Sequence, residues 1–311
     1  MQKVSVVILN YNGKDNTLDC LSSLQNVVTI DTKLEIIVVD NASKDESVAF
    51  IKSQISNLKS QKLQLKVIEN RENLGFAGGN NVGIRYALEH GADYVLVLNN
   101  DTLVDKNLID ELLKVGNSDE NIGILAPKIY FAKGFEFHKN RYTEKDLGKV
   151  FWYAGGKMDW KNVIASHKGV DEVDHGQYDK TEETSFASGC CMFMKKEVFG
   201  RVGLFDKKYF LYYEDADLSE RLKEAGYKII YNPSAIIWHK NAGSAGGSGS
   251  KLQDYYITRN RLLFGMRYAP LRSKLALIKE SMKVLISGRY WQKRGILDFY
   301  LNKFGKGSYK V

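Results

Sequence analysis

Cysteine, proline and long apolar runs are all scarce in this chain of 311 residues. The three cysteines, Cys20, Cys190 and Cys191, form no CxxC pair, which argues against a zinc cage or a disulfide framework and leaves reduced thiols as the expectation. Proline occurs only at Pro127, Pro233 and Pro270, so little interrupts the helix and strand patterns. No stretch approaches the roughly 18 uninterrupted apolar residues of a membrane-spanning helix. The opening MQKVSVVILNYNG lacks the apolar length and the small-residue cleavage site of a secretory leader. A cytoplasmic protein is expected, in contact with a membrane at most peripherally. Acids are also scarce after Ser250, where Asp254, Glu280 and Asp298 stand among many Lys and Arg, while the chain as a whole carries a formal charge of +8. Such a basic segment suits an anionic membrane surface, or simply a solvated face. It has no interleaved aromatic platform, so no nucleic-acid partner is expected.

Continuous β-rich runs are what the first third does contain. VSVVIL, LEIIVVD, LQLKVIEN and YVLVLNND alternate with helical patterns at 14–25, 44–58, 80–90 and 106–115. That alternation predicts an α/β fold with a Rossmann-like, mainly parallel central sheet and helices on both faces. A hairpin pair is expected in GKVFWYAGGKMDWKNVIASHKG, and a long strand entering a helix from Thr184 to Phe199. AGSAGGSGS, at 242–250, reads as a flexible loop ahead of a basic helical appendage. Within that appendage Leu262, Leu263, Phe264, Leu275, Leu277, Ile278 and Leu285 are candidates to dip into a membrane surface or to pack on the body.

In a parallel sheet, the residues that follow each strand gather at one edge. Here they are Asn10-Tyr11-Asn12, Asp40-Asn41 and Asn99-Asn100-Asp101, a polar set suited to ribose hydroxyls, base edges or a metal. Asp101 ends an apolar strand and could hold a cation bridging two phosphates; by itself such a motif is more often a turn or helix cap. His239 ends another apolar strand, IIYNPSAIIWH, and with Asp101 would make a ligand pair better suited to Mn than to Mg or Ca. Glu214, Asp215 and Asp217 open a helix behind Tyr209, Phe210, Tyr212 and Tyr213. Acids in a first turn complement the helix dipole, but three behind an aromatic run suggest a sugar site. Gly75, Gly78 and Gly79 would make a tight anion-favouring loop, with Asn80 and Asn81 placed to bond base or phosphate; the stretch is neither GxGxxG nor a Walker loop.

Taken in order, VSVVILNYNG, EIIVVDNASKDES, NLGFAGGNNVGI, VLNNDT, FLYYEDADLSERL and NPSAIIWH resemble glycosyltransferase family 2, of GT-A fold, and within it the rhamnosyltransferase-like subgroup. The resemblance runs from Val4 to His239, with a weaker echo at YYITRN, Tyr255 to Asn260. It implies a metal-dependent, inverting hexosyltransferase of polysaccharide or glycoconjugate assembly. The donor would be a nucleotide diphosphate sugar and the acceptor a glycan or lipid-linked oligosaccharide hydroxyl. Residue by residue, it implies that Asp40 binds the nucleobase with Asn10 and Asn12 near, that Asn99 faces the ribose, and that Asp101 and His239 hold Mn or Mg. Asp215 would be the catalytic base beside Glu214, with Tyr213 and Asp217 toward the acceptor. Asn99 stands where the family more often has Asp. The implied organisation is a catalytic domain at 1–242, with a nucleotide half to about 118 and an acceptor half at 119–242, then a loop at 243–250 and a basic helical region at 251–311. Two other readings compete: a nucleotidyltransferase, for which NYNGKDN is poor in the needed basic and glycine residues, and a non-catalytic carbohydrate-binding protein on the same fold.

Overall fold

The computed structural model describes residues 1–53, 64–241 and 249–309. The four predicted strands form as β1 (Gln2–Asn10), β2 (Thr32–Asp40), β3 (Gln64–Glu69) and β4 (Tyr94–Asn99). They lie parallel in the order β3-β2-β1-β4. The last seven residues of β2 are all buried, as a β-branched run covered on both faces requires. Register puts Asn10 opposite Asp40, and Leu9 opposite Asn99, so the strand-end polar residues share one edge.

The rest of the body extends that sheet. After β5 (Thr102–Val104) come β6 (Ile122–Phe131), β7 (Phe151–Tyr153), a hairpin of β8 (Gly156–Asp159) and β9 (Ile164–His167), then β10 (Glu182–Glu183), β11 (Cys191–Lys195) and β12 (Lys228–His239). The sheet order is β10-β12-β6-β11-β4-β1-β2-β3, with β11 antiparallel to both β4 and β6. The two expected halves therefore share one sheet. Of the long strand entering a helix expected at 184–199, the structure has the shorter β11, inserted between β4 and β6, and a helix that begins at Lys196; β10, just ahead of that stretch, pairs with β12.

Helices α1 (Lys14–Leu24), α2 (Ser47–Ser53), α3 (Gly75–Glu89) and α4 (Leu108–Gly116) serve the parallel half; the helix expected at 44–58 begins only at Ser47, and its residues 54–58 lie outside the described residues. The tight glycine loop expected before α3 is instead the helix itself. A Cβ on Gly79 would sit 2.4 Å from Leu9, and one on Gly83 would sit 2.4 Å from Val7, so these glycines let α3 lie close on β1. Only Gly75 needs the left-handed backbone, at φ 72°, where a Cβ would strike Phe210.

Beyond α5 (Lys196–Val202) and α6 (Glu214–Glu224), the basic appendage folds as α7 (Lys251–Tyr268), α8 (Leu271–Ser287) and α9 (Tyr290–Tyr300). Residues 242–248 of the glycine-serine stretch lie outside the described residues. Leu262, Phe264 and Leu277, expected as candidates for a membrane surface, instead join Val163, Tyr209, Ala216 and Ile296 in a second buried core, with Leu263 and Leu285 packed against it. The packing alternative holds for those five, while Leu275 and Ile278 are exposed.

Candidate active site

At the end of the parallel strands the polar side chains bind one another. Asn10 Nδ2 donates to Asp40 Oδ1 at 2.8 Å and to Ser43 Oγ at 3.1 Å, and its Oδ1 accepts from Thr17 Oγ1 at 2.8 Å. Asp40, 2% exposed, also accepts from the Ser43 amide at 2.9 Å. Asn12, at φ 50°, accepts from the Lys44 amide at 2.7 Å. Asn41 clamps the segment before α3, donating to Asn73 Oδ1 and accepting from the Leu74 amide. Asn10 and Asp40 thus pin the β1 and β2 loops together, and any nucleobase contact would use the oxygen lone pairs left over.

Asn100 joins this network to the next strand end through Thr17 Oγ1 at 2.9 Å. Beside it, β5 pairs antiparallel with β12 and sets His239 opposite Thr102. That register brings His239 Nε2 to 3.1 Å from Asp101 Oδ1, with both residues buried. The imidazole stands edge-on to Trp152, ring centres 4.5 Å apart, and its Nδ1 has no partner among the described residues. One carboxylate and one imidazole adjacent at the sheet edge are a donor pair of the kind a divalent cation takes. Among the described residues no group of three or more His, Cys, Asp or Glu could hold a metal ion by itself. Sharing a cation with ligand phosphates is the usual arrangement for Mg. The Asn99 side chain has no hydrogen-bond partner among the described residues, while its amide donates to the Cys190 carbonyl at 2.9 Å.

Asp215 arrives at the same edge from the other direction. Its Oδ2 accepts from the Gly189 amide at 2.9 Å, and its Oδ1 from the Ala216 amide at 2.8 Å. Gly189 precedes Cys190, the partner of Asn99, so a continuous path of backbone and hydrogen bonds links Asp215 to the Asp101 loop. Burial pushes the Asp215 carboxyl above the usual aspartate range, against the two amides that favour its charge. Glu214 is buried with Oε2 unpartnered, and burial, then Asp215, push it well above the glutamate range.

The segment ahead of α6 is strained. Phe210, Tyr212 and Tyr213 have φ of 64°, 69° and 73°, left-handed values costing about 1–3 kcal/mol each for non-glycine residues. The motif YYITRN, on α7, holds it. Asn260 Nδ2 lies 2.8 Å from the carbonyls of Tyr209, Leu211 and Tyr212. Arg259, fully buried, donates to the carbonyls of Lys208, Tyr209 and Gly305, and its Nε to Asn260 Oδ1. Neither residue was among the sequence candidates; the signal was the TRN echo, whose partners lie too far back along the chain to be inferred from spacing.

Asp217 is a correction. Expected to face the acceptor, it is 0% exposed and accepts from Arg221 at 2.8 Å, Arg267 at 2.9 Å, Tyr268 at 2.9 Å and Tyr209 at 3.2 Å. It knots α6 to α7 and has no surface left for a ligand. The base or phosphate contact expected for Asn80 and Asn81 is corrected too, because both are buried within α3. Asn80 donates to the Phe76 carbonyl, and Asn81 exchanges two bonds with the Phe205 backbone. Tyr213 stays half-buried, its hydroxyl donating to the Val163 carbonyl at 3.1 Å.

A family model described as glycosyl transferase family 2 matches residues 5–203. The chain is 25% identical over 264 residues to the low-salt glycan biosynthesis hexosyltransferase Agl10 of Haloferax volcanii, covering 85% of this chain and 75% of that protein. It is 25% identical over 249 residues to the N-acetylglucosaminyl-diphospho-decaprenol L-rhamnosyltransferase of Mycobacterium tuberculosis, covering 78% and 77%. Among solved structures it is similar to GalNAc-T7 with UDP, GalNAc and Mn2+, at a TM-score of 0.62 and 16% identity, spanning 97% of this chain but only 58% of that one.

Proposed function

Because the chain belongs to glycosyltransferase family 2 and has the GT-A fold, we propose that it transfers a hexose, rhamnose or a related sugar, from a nucleotide diphosphate donor to the hydroxyl of a glycan or lipid-linked acceptor with inversion. The observation that carries the mechanism is how the three acids of α6 divide their work. Asp217 is consumed by ion pairs and Glu214 is buried and driven toward its protonated form, which leaves Asp215 as the carboxylate free to take a proton.

The acceptor hydroxyl loses its proton to Asp215 as its oxygen attacks the anomeric carbon, and the bond from that carbon to the diphosphate breaks on the opposite side. One base is enough for such an in-line displacement, and the anomeric centre inverts. Glu214, buried at the head of α6 beside Asp215, has its charged form disfavoured first by burial and then by the Asp215 carboxylate. Asp101 and His239 would hold a divalent cation, Mn or Mg, whose charge offsets that of the departing diphosphate. Support for a cation is the adjacent carboxylate–imidazole pair, together with the Mn2+ found in GalNAc-T7. Asp40, Asn10, Asn12 and Asn99 would frame the base and ribose. A lipid-linked acceptor is the class named for the mycobacterial relative; with the basic C-terminal region it supports work at a membrane surface.

The test is Asp215→Asn, followed by release of nucleoside diphosphate from a panel of nucleotide sugars with Mn or Mg. Transfer is expected to fall by roughly 10²–10⁴, the span of general-base effects, while donor binding by calorimetry survives. Unchanged turnover would remove Asp215 from the reaction. Release of pyrophosphate rather than nucleoside diphosphate would point to nucleotidyl transfer instead.

A further inference from the structure

Helix α8 has two apolar faces, and only one of them is used. Ser273, Leu277 and Ser281 are buried against the rest of the protein. Leu271, Leu275, Ile278, Met282 and Ile286 recur at helical spacing and are 40–81% exposed. That spacing places them on one stripe, roughly 150° around the helix from the buried face. Scattered exposed leucines need no explanation, but a continuous stripe along a whole helix does.

The charges beside the stripe say what it meets. Each acid of the C-terminal region faces an arginine: Asp254 with Arg289, Glu280 with Arg261, and Asp298 with Arg294. Arg272, Lys279 and Lys283 flank one side of the stripe and Lys274 the other, and no described acid pairs with any of them. Among the described residues no helix is long and apolar enough to cross a membrane. An apolar stripe edged by unpaired cations is the pattern of a helix lying in the plane of an anionic lipid surface.

We propose that α8 docks the protein onto an anionic bilayer, the stripe entering the headgroup–acyl boundary and Arg272, Lys274, Lys279 and Lys283 meeting lipid phosphates. The docking itself stands apart from the transferase reading; its purpose rests on that reading, since it holds the enzyme where a lipid-linked acceptor lies. The neighbouring α7 grips the Asp215 loop through Arg259 and Asn260, so the bundle that meets the lipid also carries the base.

Flotation of the full chain with phosphatidylcholine vesicles, with and without phosphatidylglycerol, tests this at low and high salt. Flotation is expected with the anionic vesicles, weakening as salt screens the cations. Replacing Leu275, Ile278 and Met282 together by Glu should cut the bound fraction at least about tenfold, with melting temperature and donor turnover unchanged. Replacing the four cations by Gln should abolish the preference for anionic lipid. A chain that stays unbound at low salt, or a triple variant that floats as well as the parent, overturns the proposal. So does a dimer in solution that the triple variant splits, because the stripe would then be a self-association face. A chain that floats but turns over no donor supports docking and counts only against the transferase reading.

Discussion

At the ends of β1, β2 and β4 polar side chains bind others that stand close by at the same edge: Asn10 with Asp40, Asn100 with Thr17, Asn41 with Asn73. The Asp215 loop is built differently. Its backbone is strained at three aromatic residues and tied down by Arg259 and Asn260 from a helix far along the chain. The first region is rigid because the sheet sets its register; the second is held in shape by a distant tether. One consequence is that damage to the tether should reach the base without touching the strand ends.

The sharpest test of that contrast is Asp217→Ala, which leaves Arg221 and Arg267 without their shared carboxylate. Breaking a buried ion pair on one side costs about 3–5 kcal/mol, to be read by denaturant unfolding. A neutral Asp217→Ala with an altered acceptor KM would restore the ligand role withdrawn above. Next comes Asn260→Ala, which leaves the carbonyls of Tyr209, Leu211 and Tyr212 without this donor, a loss of about 1–3 kcal/mol. Its transfer rate should drop while donor affinity, assigned above by proposal to the strand ends, holds; equal losses in both would erase the distinction between the regions.

Smaller effects follow from protonation. As the proposed base Asp215 would act only when ionised, and its carboxyl is raised by burial, so the acid limb of the transfer rate should lie above the ordinary aspartate pKa of about 3.9. A limb at or below that value would place the base elsewhere. Smallest is Glu214→Gln, which copies the protonated form and should retain transfer and change stability by about 1 kcal/mol or less at mildly acidic pH. Glu214 is raised on folding, so its contribution is complete below the unfolded glutamate pKa of about 4.3 and is lost as pH rises toward the folded one. The Gln variant lacks that loss, and its stability should decline less with rising pH than the parent's.

The strand-end half of the site was legible because a buried parallel strand is written as a continuous β-branched run, and whatever follows it must stand at the sheet edge. Asn10, Asp40, Asn99 and Asp101 could be placed by that reasoning alone, and the pairing of Asp101 with His239 agrees with it. Asp217 and Asn80 were misplaced because composition cannot tell a carboxylate or amide facing a ligand from one buried among partners. Gly79 was misread because a glycine in a turn and a glycine under a strand are the same letter; only the nearness of Leu9 distinguishes them.

The sequence determined, by its alternating periods, the sheet, its polar edge and the presence of an acid cluster at the head of a helix. Tertiary structure alone decided that Asp217 is taken up by ion pairs, which face of α8 is left bare, and that Arg259 and Asn260 brace a loop they follow by many residues. The reason is physical: periodicity is set by local backbone geometry, whereas burial and hydrogen-bond partnership depend on what chain folding brings alongside.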